Sequence, residues 1–182
     1  MKSITVKELM IPIKEYATVH LQATLRDAVL ALEEAQTRLD PSLHKHRAIL
    51  VLDENGKVVS KITMKEILVA LEPNTRNIEG AGVLERSGYS PDLIKSMLED
   101  KALWTLPLQL FHKRASELKV GDFIQPPSKD EYIDENATLG EATRQLVVYP
   151  FHSLIVTSAD EVVGILRLSD VFSKICDIIK GD

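Results

Sequence analysis

The chain has 182 residues, 45% of them hydrophobic and 27% charged, and a formal net charge of -5, a balance that fits one globular domain or two small ones and excludes disordered and fibrous classes. The acid excess and the lack of a long basic run argue against nucleic acid as a partner, because a phosphate backbone rewards clustered Lys and Arg. A single cysteine excludes an intrachain disulfide framework, and its setting among Val171, Phe172, Ile175, Ile178 and Ile179 predicts that Cys176 is a buried, inert thiol.

At the N-terminus, Met1 to Glu8 lacks the apolar core of a signal peptide, and no stretch approaches the roughly 18 apolar residues that a membrane span needs. A cytoplasmic protein without membrane contact is expected. The segment Val6-Lys7-Glu8-Leu9-Met10-Ile11-Pro12 is followed by Ala23-Thr24-Leu25-Arg26-Asp27-Ala28, where Thr24 and Asp27 form a capping box that opens a helix. Leu25, Val29 and Leu32 are spaced for one face of that helix. After Gln36 to His44, the apolar run Ala48-Ile49-Leu50-Val51, the turn Asp53-Glu54-Asn55-Gly56 and the run Lys57 to Thr63 predict a hairpin, and Lys65 to Leu71 a second helix.

From Glu72 to Leu118 the pattern changes. Asn74 to Gly88 is polar and glycine-bearing and reads as a loop; Ser90-Pro91-Asp92 starts a helix, and a further helical stretch runs around Leu103 to Leu118 despite Pro107. Trp104, Leu106, Leu108, Leu110 and Phe111 are expected to pack over the rest, with a lid or docking surface as the alternative.

Beyond Leu118 the chain repeats itself. Val120-Gly121-Asp122-Phe123-Ile124-Gln125-Pro126 falls on Val6 to Pro12, and Ala137-Thr138-Leu139-Gly140-Glu141-Ala142 falls on Ala23 to Ala28 at the same offset, capping box included. Leu139, Ala142, Leu146 and Val147 mark the helical face. With the insertion Gln36 to His44 removed, Ser153-Leu154-Ile155-Val156 matches Ala48 to Val51; the turn Ser158 to Glu161, the run Val162 to Leu168 and a helix over Ser169 to Ile179 complete the second copy. Each unit is strand, helix, strand, strand, helix, which predicts an α/β (α+β) protein of two β-α-β-β-α motifs, residues 1–71 and 119–182, joined by a partly helical connector, 72–118.

The joint order of Leu9-Met10-Ile11-Pro12, Ala23 to Ala28 and Val59-Ser60-Lys61-Ile62-Thr63-Met64-Lys65-Glu66-Ile67, duplicated as Phe123 to Pro126, Ala137 to Ala142 and Val163 to Val171, resembles a tandem pair of CBS motifs, a Bateman module. The resemblance implies a pseudo-twofold pair with two clefts for an adenosine-type ligand such as AMP, ADP, ATP or S-adenosylmethionine. It also implies a homodimer, and regulation of a separate, unknown protein partner rather than enzymatic activity.

In that family the last strand ends in Ser or Thr followed three residues later by Asp, a carboxylate for ribose hydroxyls beside helix N–H groups for phosphate. The first copy reads Thr63-Met64-Lys65-Glu66, in which Glu66 replaces the Asp and which is equally an ordinary capping box. The second reads Arg167-Leu168-Ser169-Asp170, with Arg167 as the phosphate fork and Asp170 as the ribose acceptor; alternatively Asp170 only favours the helix dipole. The resemblance adds Thr18 in the stretch Tyr16 to Val19, Tyr132 with Ile133, His46 with Arg47, and His152 with Ser153 as cleft-lining residues. His44-x-His46 lacks a Cys or carboxylate at ligand spacing, so no metal is expected, and no cofactor beyond the regulatory ligand. No P-loop, nucleophile elbow or metal constellation is present, so catalysis is not expected. A structural docking module with empty, degenerate clefts is the competing reading.

Overall fold

The computed structural model describes residues 4–38, 45–71 and 109–181. The expectations for Asn74 to Gly88, for the helix at Ser90, for Trp104, Leu106 and Leu108, and for His44 lie outside these residues. Five helices and two small sheets are present among the described residues. In chain order they are β1 (Ile11–Pro12), β2 (Thr18–His20), α1 (Leu25–Arg38), β3 (Ala48–Leu52), β4 (Val58–Thr63), α2 (Met64–Leu71), α3 (Gln109–Glu117), β5 (Tyr132–Asp134), α4 (Leu139–Val148), β6 (Ser153–Ser158), β7 (Glu161–Arg167) and α5 (Leu168–Lys180).

The two copies fold alike because their sequences impose the same local steps. Thr24 Oγ1 donates to Asp27 Oδ2 at 2.7 Å and Thr138 Oγ1 to Glu141 Oε2 at 2.8 Å, while the amides of Asp27 and Glu141 donate back to the threonine hydroxyls, so α1 and α4 each begin on a closed capping box. Parallel pairs β2·β3 and β5·β6, and antiparallel hairpins β3·β4 and β6·β7, give sheets ordered β2-β3-β4 and β1-β7-β6-β5. Both hairpins carry a register irregularity at matching places, Val51/Leu52 and Val156/Thr157.

Each copy's opening segment is exchanged into the other copy. Val6 is fully buried among Ile133, Ala142, Leu146, Leu154 and Val156, and its amide donates to the Ala137 carbonyl at 2.8 Å. Val120 is buried among Leu25, Ala28, Ile49 and Val51, with its amide on the Ala23 carbonyl at 2.9 Å. Each exchanged valine contributes about 1.5–3 kcal/mol of apolar burial, so neither core is complete without the other half of the chain. A third apolar cluster, Leu50, Val58, Ile155 and Ile165 with Tyr16 and Ala48, joins the two sheets across the pseudo-twofold axis.

Three expectations need correcting. Val147 is exposed, because Ala142 and Leu146 set the buried face of α4 and Val147 lies a further step around the helix. Cys176 is only half-buried for the same reason, being one step past the core-facing Ile175. The described end of the connector is helical from Gln109, and it packs on the first core through Ala115 and Leu118, while Leu110 is exposed and Phe111 half-buried. The Arg114 guanidinium ties α3 to the C-terminal half of α2 by donating to the Ala70 carbonyl at 2.8 Å.

Candidate ligand clefts

The ends of β4 and β7, where each hairpin passes into a helix, behave differently. At the start of α2, Thr63 Oγ1 donates to Glu66 Oε2 at 2.8 Å and the Glu66 amide donates to Thr63 Oγ1 at 3.3 Å, so the capping-box alternative is realised. Lys65 and Glu66 are exposed and Thr63 half-buried. At the start of α5, Arg167 occupies the N-cap position and grips Asp170 with two bonds, Nε to Oδ2 at 2.5 Å and Nη2 to Oδ1 at 2.7 Å. The guanidinium replaces the hydroxyl only as a donor to the carboxylate and cannot accept from the helix amides, and the pair is sheltered: Arg167 is buried and Asp170 half-buried.

The first cleft is built across the repeats. From the first copy come Tyr16 and His46, both buried, with ring centroids 4.3 Å apart in an edge-to-face arrangement; from the second come Arg167 and Asp170, whose charges both act on those rings. Burial pushes the Tyr16 phenol up to about 12; Arg167 and the backbone of Ala48 and Arg47 work against that rise, and Asp170 adds to it. Burial, and then Arg167, hold the His46 imidazole below its ordinary value, opposed by the Glu15 backbone and Asp170. His46 is 1% exposed, and among the described residues neither of its ring nitrogens makes a hydrogen bond of normal geometry. A buried polar atom without a well-formed hydrogen bond carries a desolvation cost of about 1–3 kcal/mol, which a ligand that bonds to it would relieve.

The second cleft holds a residue that the sequence reading missed. Lys61, from β4 of the first copy, is 8% exposed; its Nζ donates to the Ser153 carbonyl at 2.7 Å and to Ser153 Oγ at 3.3 Å, and pairs with Glu131 Oε2 at 3.0 Å. The Phe151 ring centroid lies 5.7 Å from the same nitrogen and stacks on Tyr149. Glu131 is in turn held by the Ser128 amide, which donates to its other oxygen at 3.1 Å. The available signal was a lysine in the otherwise apolar or small run Val58-Val59-Ser60-Lys61-Ile62.

Of the other expected residues, Ile133 turns its side chain into the second core and can offer a ligand only its backbone, while Tyr132 and Thr18 are half-buried at the strand starts. Ser153 is buried on Lys61; Arg47 and His152 are exposed, and Ser169 is half-buried. No group of three or more metal-ligating side chains occurs among the described residues. No helix among them is long and apolar enough to cross a membrane.

Two β-α-β-β-α units, each packing the other's opening segment into its core, define a tandem-repeat module. The CBS domain model matches residues 6–73 and 120–177, and the chain belongs to the CBS domain family. Similar solved structures are CBS pairs. CBSX2 from Arabidopsis thaliana is 20% identical with a TM-score of 0.62, over 98% of this chain and 99% of that one. A CBSX2 structure in complex with AMP is also 20% identical with a TM-score of 0.59, over 97% of this chain and 98% of that one. The CBS domain of a bacterial CNNM/CorC family Mg2+ transporter in complex with ATP is 18% identical with a TM-score of 0.57, over 95% of this chain and 87% of that one. At these identities the likeness shows the fold. No curated protein matches the chain in sequence.

Proposed function

We propose that the chain is a cytoplasmic regulatory module without chemistry of its own, which binds an adenosine-type ligand and passes the signal to a separate protein partner. The observation that carries this reading is the buried His46 imidazole beside Tyr16, whose ring nitrogens make no hydrogen bond of normal geometry among the described residues, close to the Arg167–Asp170 pair at the N-terminus of α5. A purine offers ring acceptors and an amino group to an imidazole; a ribose diol suits the Asp170 carboxylate, and a phosphate suits the Arg167 fork and the start of the helix. Related CBS pairs hold AMP in one case and ATP in another, which supports an adenine nucleotide as the ligand class. To signal, the ligand must favour one arrangement of the two copies over another, and a cleft built from both copies provides that dependence.

The signalling form is a homodimer. At matching positions of the two copies, α2 exposes Met64 and Leu68, and α5 exposes Leu168 and Phe172, the latter 65% exposed. Equivalent apolar stripes on two pseudo-twofold helices give a self-complementary face, which is what an isologous contact with a second copy of the chain requires.

A structural docking module is the second reading, favoured by the internally closed Thr63–Glu66 box and Arg167–Asp170 pair. Thermal unfolding with AMP, ADP, ATP or S-adenosylmethionine separates the two. A ligand at about 100 times its Kd adds about 2.7 kcal/mol and raises Tm by several degrees. No shift with any of the four at about a millimolar would leave the docking module.

A further inference from the structure

We infer that the two clefts are unequal, because Lys61 closes the second from within and leaves one ligand site per chain, in the cleft of Tyr16, His46, Arg167 and Asp170. The inference rests on the nucleotide reading above and deepens it. An ammonium has three protons to donate, and Lys61 has three acceptors in place: the Ser153 carbonyl, Ser153 Oγ and a Glu131 carboxylate oxygen. Its charge is neutralised by Glu131, whose remaining oxygen is satisfied by the Ser128 amide. The three protons of the ammonium and its charge are therefore spent within the network, so a phosphate gains no cation there without breaking a bond already made. The lysine is also in the way: buried at the junction, it sits against the Phe151 ring.

The first cleft lacks this device. The strand pairings place Ile165 where the first copy has Lys61: Leu50 faces Lys61 in one hairpin, and its counterpart Ile155 faces Ile165 in the other. Ile165 joins the apolar cluster between the sheets instead of reaching into a cleft. Likewise Ala17 stands where the second copy has Glu131, since Thr18 and Tyr132 begin matching strands. His46 stands in the place of Phe151, and its nitrogens are the ones left over. Both clefts hold an internally bonded ion pair, but only the first also holds a buried imidazole whose nitrogens make no hydrogen bond of normal geometry among the described residues.

The test is the stoichiometry of AMP by isothermal titration, with amide chemical shifts of Tyr16, His46, Glu131 and Phe151 followed by NMR. It compares the wild-type chain with Lys61→Ile/Glu131→Ala. That variant gives the second cleft the residues of the first at these two positions, Ile165 and Ala17, and removes both partners of the buried ion pair together. The expected result is one AMP per wild-type chain, with shifts at Tyr16 and His46, and two per variant chain, with shifts now also at Glu131's position and Phe151. Two per wild-type chain, AMP-dependent shifts at Glu131 and Phe151 in the wild type, or one per folded variant chain would overturn the inference. Absence of AMP, ADP and ATP binding in both proteins would defeat the nucleotide reading itself, an outcome distinct from a wrong count.

Discussion

Gly164 on β7 lies so close to the Ile11 carbonyl on β1 that a Cβ at position 164 would stand 2.5 Å from that oxygen and 3.1 Å from Met10 Sδ. The matching residue of the first copy is Ser60, which has a Cβ, and among the described residues no extra strand joins the sheet there: Ser60 Oγ instead donates to the Gln125 carbonyl at 2.6 Å. One hydrogen-bond device replaces another, and the choice of Gly or Ser decides which exchanged segment becomes a strand. Gly164→Ala is expected to push β1 off β7 and to destabilise the chain by about 1–3 kcal/mol, the usual cost of overpacking. Ser60→Gly should lose the bond to Gln125, about 1 kcal/mol, together with the roughly 0.5–1 kcal/mol that a glycine costs inside a strand, without displacing any neighbouring segment. Urea denaturation of both variants checks the two losses.

Lys61 and Glu131 also link the two copies energetically. Lys61→Ala leaves Glu131 half-buried without its cation and is expected to cost about 3 kcal/mol or more, whereas Lys61→Ile/Glu131→Ala should lie within about 1 kcal/mol of the wild type, because removing both partners of a sheltered pair is far cheaper than removing one. A double-mutant cycle in urea reads the coupling directly. Additive losses would mean that the pair contributes nothing.

His46 carries a pH signature. Burial and Arg167 lower its folded-state value below the ordinary 6.5, with Asp170 and the Glu15 backbone opposing, so on acidification the unfolded chain takes up the proton first. The stability associated with neutral His46 is therefore present above 6.5 and is lost as the pH falls through the lowered folded-state value. His46→Phe, which installs the residue found at the matching position of the second copy, should remove this part of the acid-side slope, up to about 1.4 kcal/mol per pH unit for one proton. Wild-type and variant unfolding free energies measured from neutral pH down to about pH 5 check it, the exposed histidines cancelling in the difference.

Phe172→Glu tests the proposed second-copy contact. Phe172 takes no part in the apolar cores, so the fold should survive, while a carboxylate in the α2/α5 stripe would shift the chain from dimer to monomer. Sedimentation velocity of both proteins reads the outcome; an unchanged species distribution would place the contact elsewhere.

The duplication, both capping boxes, both hairpins and the family were legible in the sequence because each rests on local spacing that the fold leaves intact. The exchange of Val6 and Val120 between cores was not, since a repeat shows which segments are equivalent and not which copy they pack on. The site was legible in part for the same reason. Arg167 and Asp170, at i and i+3 on one helix start, were legible as site residues with separate roles, but their ion pair and their placement opposite Tyr16 and His46 depend on how two sheets meet. Lys61 escaped because a single charge in a strand carries no partner in its own sequence pattern; Ser153 on β6 and Glu131 in the turn before β5 meet it only in the fold.

The most direct test of the ligand-sensing account is isothermal titration of AMP into the wild-type chain and into Asp170→Asn, which keeps the shape of the side chain and removes its charge. The account predicts saturable binding by the wild type and a loss of about 10- to 100-fold in affinity in the variant, the equivalent of one charged hydrogen-bonded contact of about 1.5–3 kcal/mol. Equal affinities in the two proteins would contradict the placement of the ligand at Arg167 and Asp170, and absence of binding by AMP, ADP, ATP and S-adenosylmethionine alike would contradict the sensing role altogether.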